Sequence, residues 1–413
     1  MSKPETRCSR LVTLLKEHTN ILLVVPKFIP ANKIKRDHRH LPIALLKIAS
    51  LCKSFGKNFK LIFYEEDLEI EGVWDLILIT SVFVFESKYV IDCCNALKQQ
   101  FPESYVVVGG GYPSLNYEHC KDNTNADEII CGIVPEAEVV KPLYSLVDVD
   151  YQIIHTTRGC IRECSFCGVP KIEPTFSYKK SIKNEIIKPK LIFYDNNLLA
   201  NPYIKHILNE IIFLKKQKKI KYCESQSGID ARLLLEKPYL AKLLHKAGFK
   251  NIRLAWDWHY SDNEKIKQQL HILNNAGYPN NNIQIFMIYN YIIPYSEMEQ
   301  KRAWCFKNGL QVSDSRYIPI DSPKDGYNPY LKQQSNEDYF IHEKWTDTQI
   351  RQFRRNCRRH NLCLRFRLNY WHKDIEHKRI PKDKYWEYQT LPYKEINKIL
   401  PGVFDPSEVL VIQ

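Results

Sequence analysis

Residues 156–168 read Thr156-Thr157-Arg158-Gly159-Cys160-Ile161-Arg162-Glu163-Cys164-Ser165-Phe166-Cys167-Gly168. Three cysteines stand in Cys-x3-Cys-x2-Cys spacing, directly after a run, Gln152–Thr157, that reads as a strand. A loop leaving a strand can turn three thiolates toward one centre, and thiolates are soft ligands that suit iron–sulfur clusters and zinc. A structural zinc site takes four protein ligands. Only three cysteines are local here, and His155 would have to point from the strand into the loop to serve as a fourth. Buried free cysteines fit poorly with a loop that also carries Arg158, Arg162 and Glu163. The pattern favours a cluster, with zinc as the alternative.

Downstream of this loop the chain keeps alternating. Strand candidates are Gln152–Thr157, Lys190–Asp195, Lys221–Gln226, Asn251–Asp257, Ile283–Tyr289 and Val312–Ile320. Helical candidates between them are Lys180–Ile187, Pro202–Lys216, Lys237–Ala247, Asp262–Asn275 and Glu297–Lys307. This series predicts a partial or full parallel barrel, whose site lies at the C-terminal strand ends. Polar residues gather at those ends: Asp195-Asn196-Asn197, Ser225-Gln226-Ser227, Asp257 and Asn290.

Upstream, strands are expected at Asn20–Pro26, Asn58–Glu65, Trp74–Val84, Ser104–Gly109 and Glu128–Gly132, with amphipathic stretches Leu41–Ser54 and Lys88–Gln100 between them. That alternation predicts a second parallel sheet covered on both faces. Gly109-Gly110-Gly111 follows Val106-Val107-Val108 at a strand end, where ligands bind in such sheets and where glycine lets a backbone approach closely. A tight turn without a ligand is the alternative.

The chain has 413 residues, enough for two or three domains, and 44% hydrophobic residues, as in ordinary globular proteins. Thirteen cysteines, an odd number, with no secretion signal behind Met1-Ser2-Lys3-Pro4-Glu5, argue against a disulfide framework. No stretch is apolar enough to span a membrane, and the expected location is cytoplasmic. The net charge of +13 divides into −3 over residues 1–150, +11 over 151–322 and +5 over 323–413. A basic region of this kind meets either an anionic partner such as nucleic acid or only solvent.

The Cys-x3-Cys-x2-Cys spacing, the aromatic Phe166 before the third cysteine and the Thr157-Arg158-Gly159 lead-in resemble the radical S-adenosylmethionine (SAM) superfamily over residues 151–320. The resemblance implies a [4Fe-4S] cluster on Cys160, Cys164 and Cys167, with one open iron that binds SAM. It implies reductive SAM cleavage to a 5′-deoxyadenosyl radical, fed by an electron donor such as flavodoxin or ferredoxin. Other SAM contacts carry over less directly. Where the family has a Gly-Gly-Glu type motif this chain has Asp195-Asn196-Asn197, and where it has a strand-end Glu this chain has Asp257. Each of these polar residues has helix capping as its alternative role.

Residues 20–140 resemble the cobalamin-binding-type domain of one branch of that superfamily, through Leu41–Leu46, the strand Asp75–Ile79 and Val107–Ser114, with Glu136 as the acid before the barrel. The branch's Asp-x-His-x-x-Gly motif is missing, since Asp37-His38-Arg39-His40 has the wrong spacing. Cobalamin, held through the Gly109–Gly111 end, and an inherited scaffold without it both stay open. A methylthiotransferase-like second cluster is disfavoured, because Cys52, Cys93 and Cys94 fall on predicted helices and read as core. The expected fold is α/β: a Rossmann-like (flavodoxin-like) domain over 1–145, a partial (β/α)6 TIM-type barrel over 151–322, and a basic C-terminal cap over 323–413. The expected reaction is SAM cleavage on an unidentified substrate. Cobalamin-dependent methyl transfer is the alternative, and a zinc-stabilised nucleic-acid-binding protein the non-enzymatic one.

In the last segment Arg351, Arg354, Arg355, Arg358 and Arg359 follow helical spacing and predict one arginine stripe. Phe353, Phe366, Tyr370 and Trp371 lie nearby. Guanidinium groups and aromatic faces suit phosphates and unstacked bases; a solvated, ion-paired face is the other reading. Cys305, Cys357 and Cys363 offer a weakly spaced set for an auxiliary cluster.

Overall fold

The computed structural model describes residues 5–26, 41–65 and 68–412. The stretch Asp37-His38-Arg39-His40 lies outside them.

The first sheet has five parallel strands: β1 (Asn20–Pro26), β2 (Asn58–Tyr64), β3 (Leu76–Ser81), β4 (Tyr105–Gly110) and β5 (Glu128–Ile130), in the order β2-β1-β3-β4-β5. Successive side chains of a strand point to opposite faces, and both faces here are buried. Ile21, Leu23, Val25, Leu76, Leu78 and Val107 pack against helices Glu5–Glu17 and Ile43–Ser54. Leu22, Val24, Ile77, Ile79, Val106 and Val108 pack against helix Ser87–Gln100. Cys52 lies in the first core, and Cys93, Cys94 and Cys120 lie in the second. Burial pushes the Cys52 and Cys94 thiols up to about 12 and Cys120 up to about 11. All four are core residues.

The second half contains β6 (Tyr151–Ile154), β7 (Thr157–Arg158), β8 (Ser177–Tyr178), β9 (Lys190–Phe193), β10 (Tyr222–Ser225), β11 (Ile252–Ala255), β12 (Ile283–Tyr289) and β13 (Gln311–Arg316). Two parallel three-stranded sheets form, β10-β9-β6 and β11-β12-β13. Single parallel bridges, Cys223 to Phe249 and Ile229 to Leu254, carry the pairing from β10 to β11. The result is an arc of six parallel strands in sequence order, while β7 and β8 form a short antiparallel ribbon beside it.

Two expectations change. The stretch Lys180–Ile187 forms only a single turn over Lys183–Glu185. The Gln152 side-chain oxygen accepts the Ile187 and Lys188 N–H groups at 2.6 and 2.8 Å, which extends the backbone there, and Pro189 follows.

The segment after Ser322 is also not simply a cap over the strand ends. Its helix Asp347–Phe366 starts at a Thr346/Gln349 capping box. Its residues Ile350, Phe353 and Cys357 share the core of the arc. Asn361 bonds both the N–H and the carbonyl of Val312 on β13, at 2.9 and 2.7 Å, so the helix covers that strand's outer edge. The chain end is held by Arg302, fully buried with Glu299, which donates to the Pro406 and Glu408 carbonyls at 2.6 and 2.7 Å. Among the described residues no helix is long and apolar enough to cross a membrane.

Candidate functional site

The expected strand Gln152–Thr157 breaks after Ile154 and resumes as β7. Asp195, just beyond β9, is fully buried and causes the break. Its Oδ1 accepts the Thr156 and Thr157 N–H groups at 2.9 and 2.6 Å and their hydroxyls at 2.5 and 2.8 Å. Its Oδ2 has no hydrogen-bond partner among the described residues. Burial raises this carboxyl despite those bonds. Asp195, expected beside a cofactor, holds the entrance of the cysteine loop.

The loop leaves β7 and returns at β8. Gly159 has φ +70°, and a Cβ there would meet the Thr175 carbonyl at 2.7 Å. Only glycine lets the loop fold back on itself at this point. Glu173 closes the fold: it accepts the Gly159 N–H at 2.5 Å, Arg158 Nη1 at 3.1 Å and Asn196 Nδ2 at 2.8 Å.

The three thiols are half-buried on this loop. Cys160 Sγ accepts the Arg162 N–H at 3.4 Å and Asn197 Nδ2 at 3.8 Å, and Cys167 Sγ accepts the Val169 N–H at 3.5 Å. Burial raises the Cys164 and Cys167 thiols. Cys167 and Asp257 add to this at Cys164, and Cys160 and Asp257 add to it at Cys167. The three sulfurs and Asp257 therefore share one neighbourhood. Among the described residues no three His, Cys, Asp or Glu side chains could hold a single metal ion.

Beside the thiols, Asp230 Oδ2 accepts Arg162 Nε at 3.0 Å and Asn197 Nδ2 at 3.1 Å, and its Oδ1 accepts Arg232 Nε at 2.6 Å. Burial alone would raise Asp230, but the two guanidinium groups outweigh it and hold it below the usual range. Asp257, beyond β11, is pushed up to about 6 by burial, with Lys301 and Arg232 pulling the other way. Lys301 is fully buried and donates to the Trp256 and Trp258 carbonyls at 2.6 and 2.8 Å. Burial pushes it down to about 8. Asp230, Arg232, Asn197 and Lys301 were not singled out for these roles from the sequence. The nearest signal was the polar cluster Asp195-Asn196-Asn197 at one strand end.

Phe166 stands edge-on to Tyr291, ring centres 6.0 Å apart, and lines a cavity of about 290 Å³ between the two halves of the chain. A second cavity, of about 400 Å³, lies at the carboxyl ends of β3 and β4, lined by Thr80–Val82 and Gly109–Gly111. A Cβ on Gly110 or Gly111 would come within 2.2 Å of the Ser81 carbonyl or 2.1 Å of the Val82 carbonyl. The glycines are thus required by the neighbouring strand end, and they also line the cavity. The acid that joins this floor to the cysteine loop is Glu138, not Glu136. Glu138 bonds Arg158 twice and Lys47 once.

The arginine stripe is not one free face. Arg351 is buried and bonded to Asp347 and to the Leu331 carbonyl. Arg359 stacks over Trp371 at 4.1 Å. Arg354, Arg355 and Arg358 stay exposed, with Arg358 paired to Glu376. Cys305, Cys357 and Cys363 are buried, and burial raises all three thiols.

A scan against protein-family models finds no match, and neither does a comparison with curated proteins. Solved structures do match. One is the cobalamin-dependent S-adenosylmethionine radical enzyme OxsB with aqua-cobalamin bound. It is 13% identical over 75% of this chain and 55% of that one, with a TM-score of 0.52. Another is the same enzyme with aqua-cobalamin and S-adenosylmethionine bound. It is 12% identical over 73% of this chain and 54% of that one, with a TM-score of 0.50. The chain shares the fold of that enzyme and spans about half of its length.

Proposed function

We propose that this chain is a radical SAM enzyme whose [4Fe-4S] cluster is held by Cys160, Cys164 and Cys167. The observation that carries the reading is the cysteine loop itself: three half-buried thiols with N–H groups directed at two of the sulfurs. The loop stands beside a six-strand parallel arc read here as the partial barrel of that family. Three local thiol donors suit a cluster with one iron left open. When bound and reduced, such a cluster supplies the electron that breaks the SAM sulfonium bond.

The chain's own residues then have distinct tasks. Arg162 N–H, Val169 N–H and the Asn197 amide steady the thiolates and tune the cluster, as donors around metal ligands do. Asp257 accepts a hydrogen bond from SAM, and buried Lys301 keeps the Trp256–Trp258 backbone, and so Asp257, in place. Phe166, next to Cys167 and edge-on to Tyr291, would help shield a bound cluster from water. The electron comes from a donor of the flavodoxin or ferredoxin class.

A second reading, cobalamin-dependent methyl transfer, is favoured by the 400 Å³ cavity at the ends of β3 and β4. Its walls are largely apolar and its size suits the benzimidazole end of a cobalamin rather than the whole molecule. The residues of the Gly109–Gly111 end would hold that group.

Anaerobic purification tests the proposal. The expected result is about four irons per chain, lost when Cys160, Cys164 and Cys167 are all changed to Ala, and 5′-deoxyadenosine formed from SAM on reduction. Full iron in the triple variant would overturn the assignment. Reconstitution with aqua-cobalamin, followed by its visible spectrum, separates the two reactions: no uptake by cluster-loaded protein removes the methyl-transfer reading.

A further inference from the structure

The 400 Å³ cavity at the ends of β3 and β4 is lined from both halves of the chain. Ile43, Leu45, Val134 and Ala137 form apolar walls, and Gly109–Gly111 present bare backbone. His155, Arg158 and Tyr194 line it from the arc and the cysteine loop. Ligand sites of this size are typically apolar, with a few polar groups that fix orientation.

The charged groups of the wall are all taken. Lys47 pairs with Glu138, and Arg158 pairs with Glu138 and Glu173. A charged ligand would lose its water here and find no free counter-charge. Two other ring side chains stand differently. His155, only 8% exposed, and Tyr194 meet edge to face, ring centres 6.3 Å apart. Neither side chain makes a hydrogen bond among the described residues. Their polar atoms are not sealed in protein, since the enclosed unpartnered atoms among the described residues belong to other side chains. Burial and nearby Arg158 push His155 well below its usual value, so it presents a neutral ring with one donor and one acceptor nitrogen. The Tyr194 hydroxyl adds a second donor and acceptor.

We infer that His155 and Tyr194 are the polar end of a site for an uncharged, flat nitrogen heterocycle of benzimidazole or purine size, its ring nitrogens meeting this pair and its apolar edge lying on the glycine backbone. A free heterocycle and the benzimidazole end of a cobalamin share this chemistry. The second source rests on the methyl-transfer reading; the binding itself does not.

The test is calorimetric titration of the anaerobically purified full chain at pH 8. The probes are benzimidazole, 1-methylindole, which lacks both the N–H and the basic nitrogen, and the 1,3-dimethylbenzimidazolium cation. Benzimidazole is expected to bind saturably and at least ten-fold tighter than either. His155→Phe should lower its affinity at least five-fold and leave 1-methylindole within two-fold. Tyr194→Phe should weaken benzimidazole alone. Ala44→Trp, at an exposed position on the cavity wall, should weaken both. Benzimidazole no tighter than 1-methylindole, or unchanged in His155→Phe or Ala44→Trp, overturns the inference. Should His155→Phe fail to fold, Tyr194→Phe and Ala44→Trp decide alone. Titration with aqua-cobalamin and with cobinamide, which lacks the base, tells the sources apart. Cobalamin held at least ten-fold tighter than cobinamide, and displacing benzimidazole, identifies the cobalamin base. Benzimidazole binding without cobalamin uptake identifies a free heterocycle and sinks the methyl-transfer reading. Cobalamin and cobinamide bound alike, with no benzimidazole binding, overturns the inference and leaves that reading standing.

Discussion

Glu138 and Arg158 meet fork to fork, Arg158 Nε on Oε2 and Nη2 on Oε1, both at 2.7 Å. Glu138 ends the first half of the chain, and Arg158 opens the cysteine loop, so this pair fixes the loop to the floor of the larger cavity. Lys47, from the helix on the other side, adds a third bond at 2.8 Å. Planar two-point pairing of this kind is among the stronger polar contacts in proteins.

Changing Glu138 to Gln should therefore destabilise the protein by roughly 3 kcal/mol, because a partly buried guanidinium loses the carboxylate that takes two of its hydrogen bonds and keeps only Glu173. Burial alone would raise Glu138, but Arg158 and Lys47 outweigh it and hold it at about 2. A carboxylate lowered on folding stabilises above its unfolded value, near 4.5, and that stabilisation is lost as pH falls toward about 2. Chemical denaturation between pH 7 and pH 3 should show this slope in the wild type and a shallower one in Glu138→Gln. Equal slopes would remove the pair from the stability of the protein.

Asp195 separates a supporting role from a ligand role. Asn keeps the oxygen that accepts all four bonds from Thr156 and Thr157, so Asp195→Asn should load iron close to the wild-type level. Asp195→Ala leaves two buried N–H groups unpaired, at about 1–3 kcal/mol each, and should lose most of the cluster. Iron and acid-labile sulfide per chain measure both. Normal iron but no SAM binding in Asp195→Asn would return the residue to the cofactor.

Asp257 titrates near pH 6 because it is buried. As the SAM acceptor it should bind more tightly in its charged form, so affinity should fall several-fold from pH 8 to pH 5.5. In Asp257→Asn the profile should be flat and weak. The stability effect has the opposite sign: a carboxyl raised on folding costs stability above about pH 6, and the cost vanishes below 3.8. Asp257→Asn should therefore be the more stable protein at pH 8. An unchanged SAM profile would take Asp257 out of the site.

Arg354, Arg355 and Arg358 are the exposed members of the arginine row. If they grip a phosphate backbone, neutralising all three lowers affinity for single-stranded RNA or DNA and reduces the salt slope by about one unit per contact. Cluster content should not change. Binding measured at two salt concentrations, for wild type and triple variant, checks this; equal, weak binding by both leaves the charge as ordinary surface.

The continuous apolar runs of β1, β3 and β4 are a property of neighbouring residues, so the parallel sheet was legible from Asn20–Pro26 and its companions. The spacing of Cys160, Cys164 and Cys167 is equally local, and so is the turn that Gly159 permits. Choice of partner is not local. Asp195 holds Thr156 and Thr157, 39 and 38 residues away, because only the packed strand ends bring them together. Glu138 rather than Glu136 meets Arg158, and one turn of a short helix makes that choice. The five arginines share a spacing, yet Arg351 is buried against Asp347 and Arg359 is half-buried under Trp371. Pattern alone placed most of the strands and put the three cysteines on one loop. Tertiary packing decided which charges are buried, which are paired and which remain for a ligand, because burial and pairing depend on distances through space that no spacing along the chain encodes.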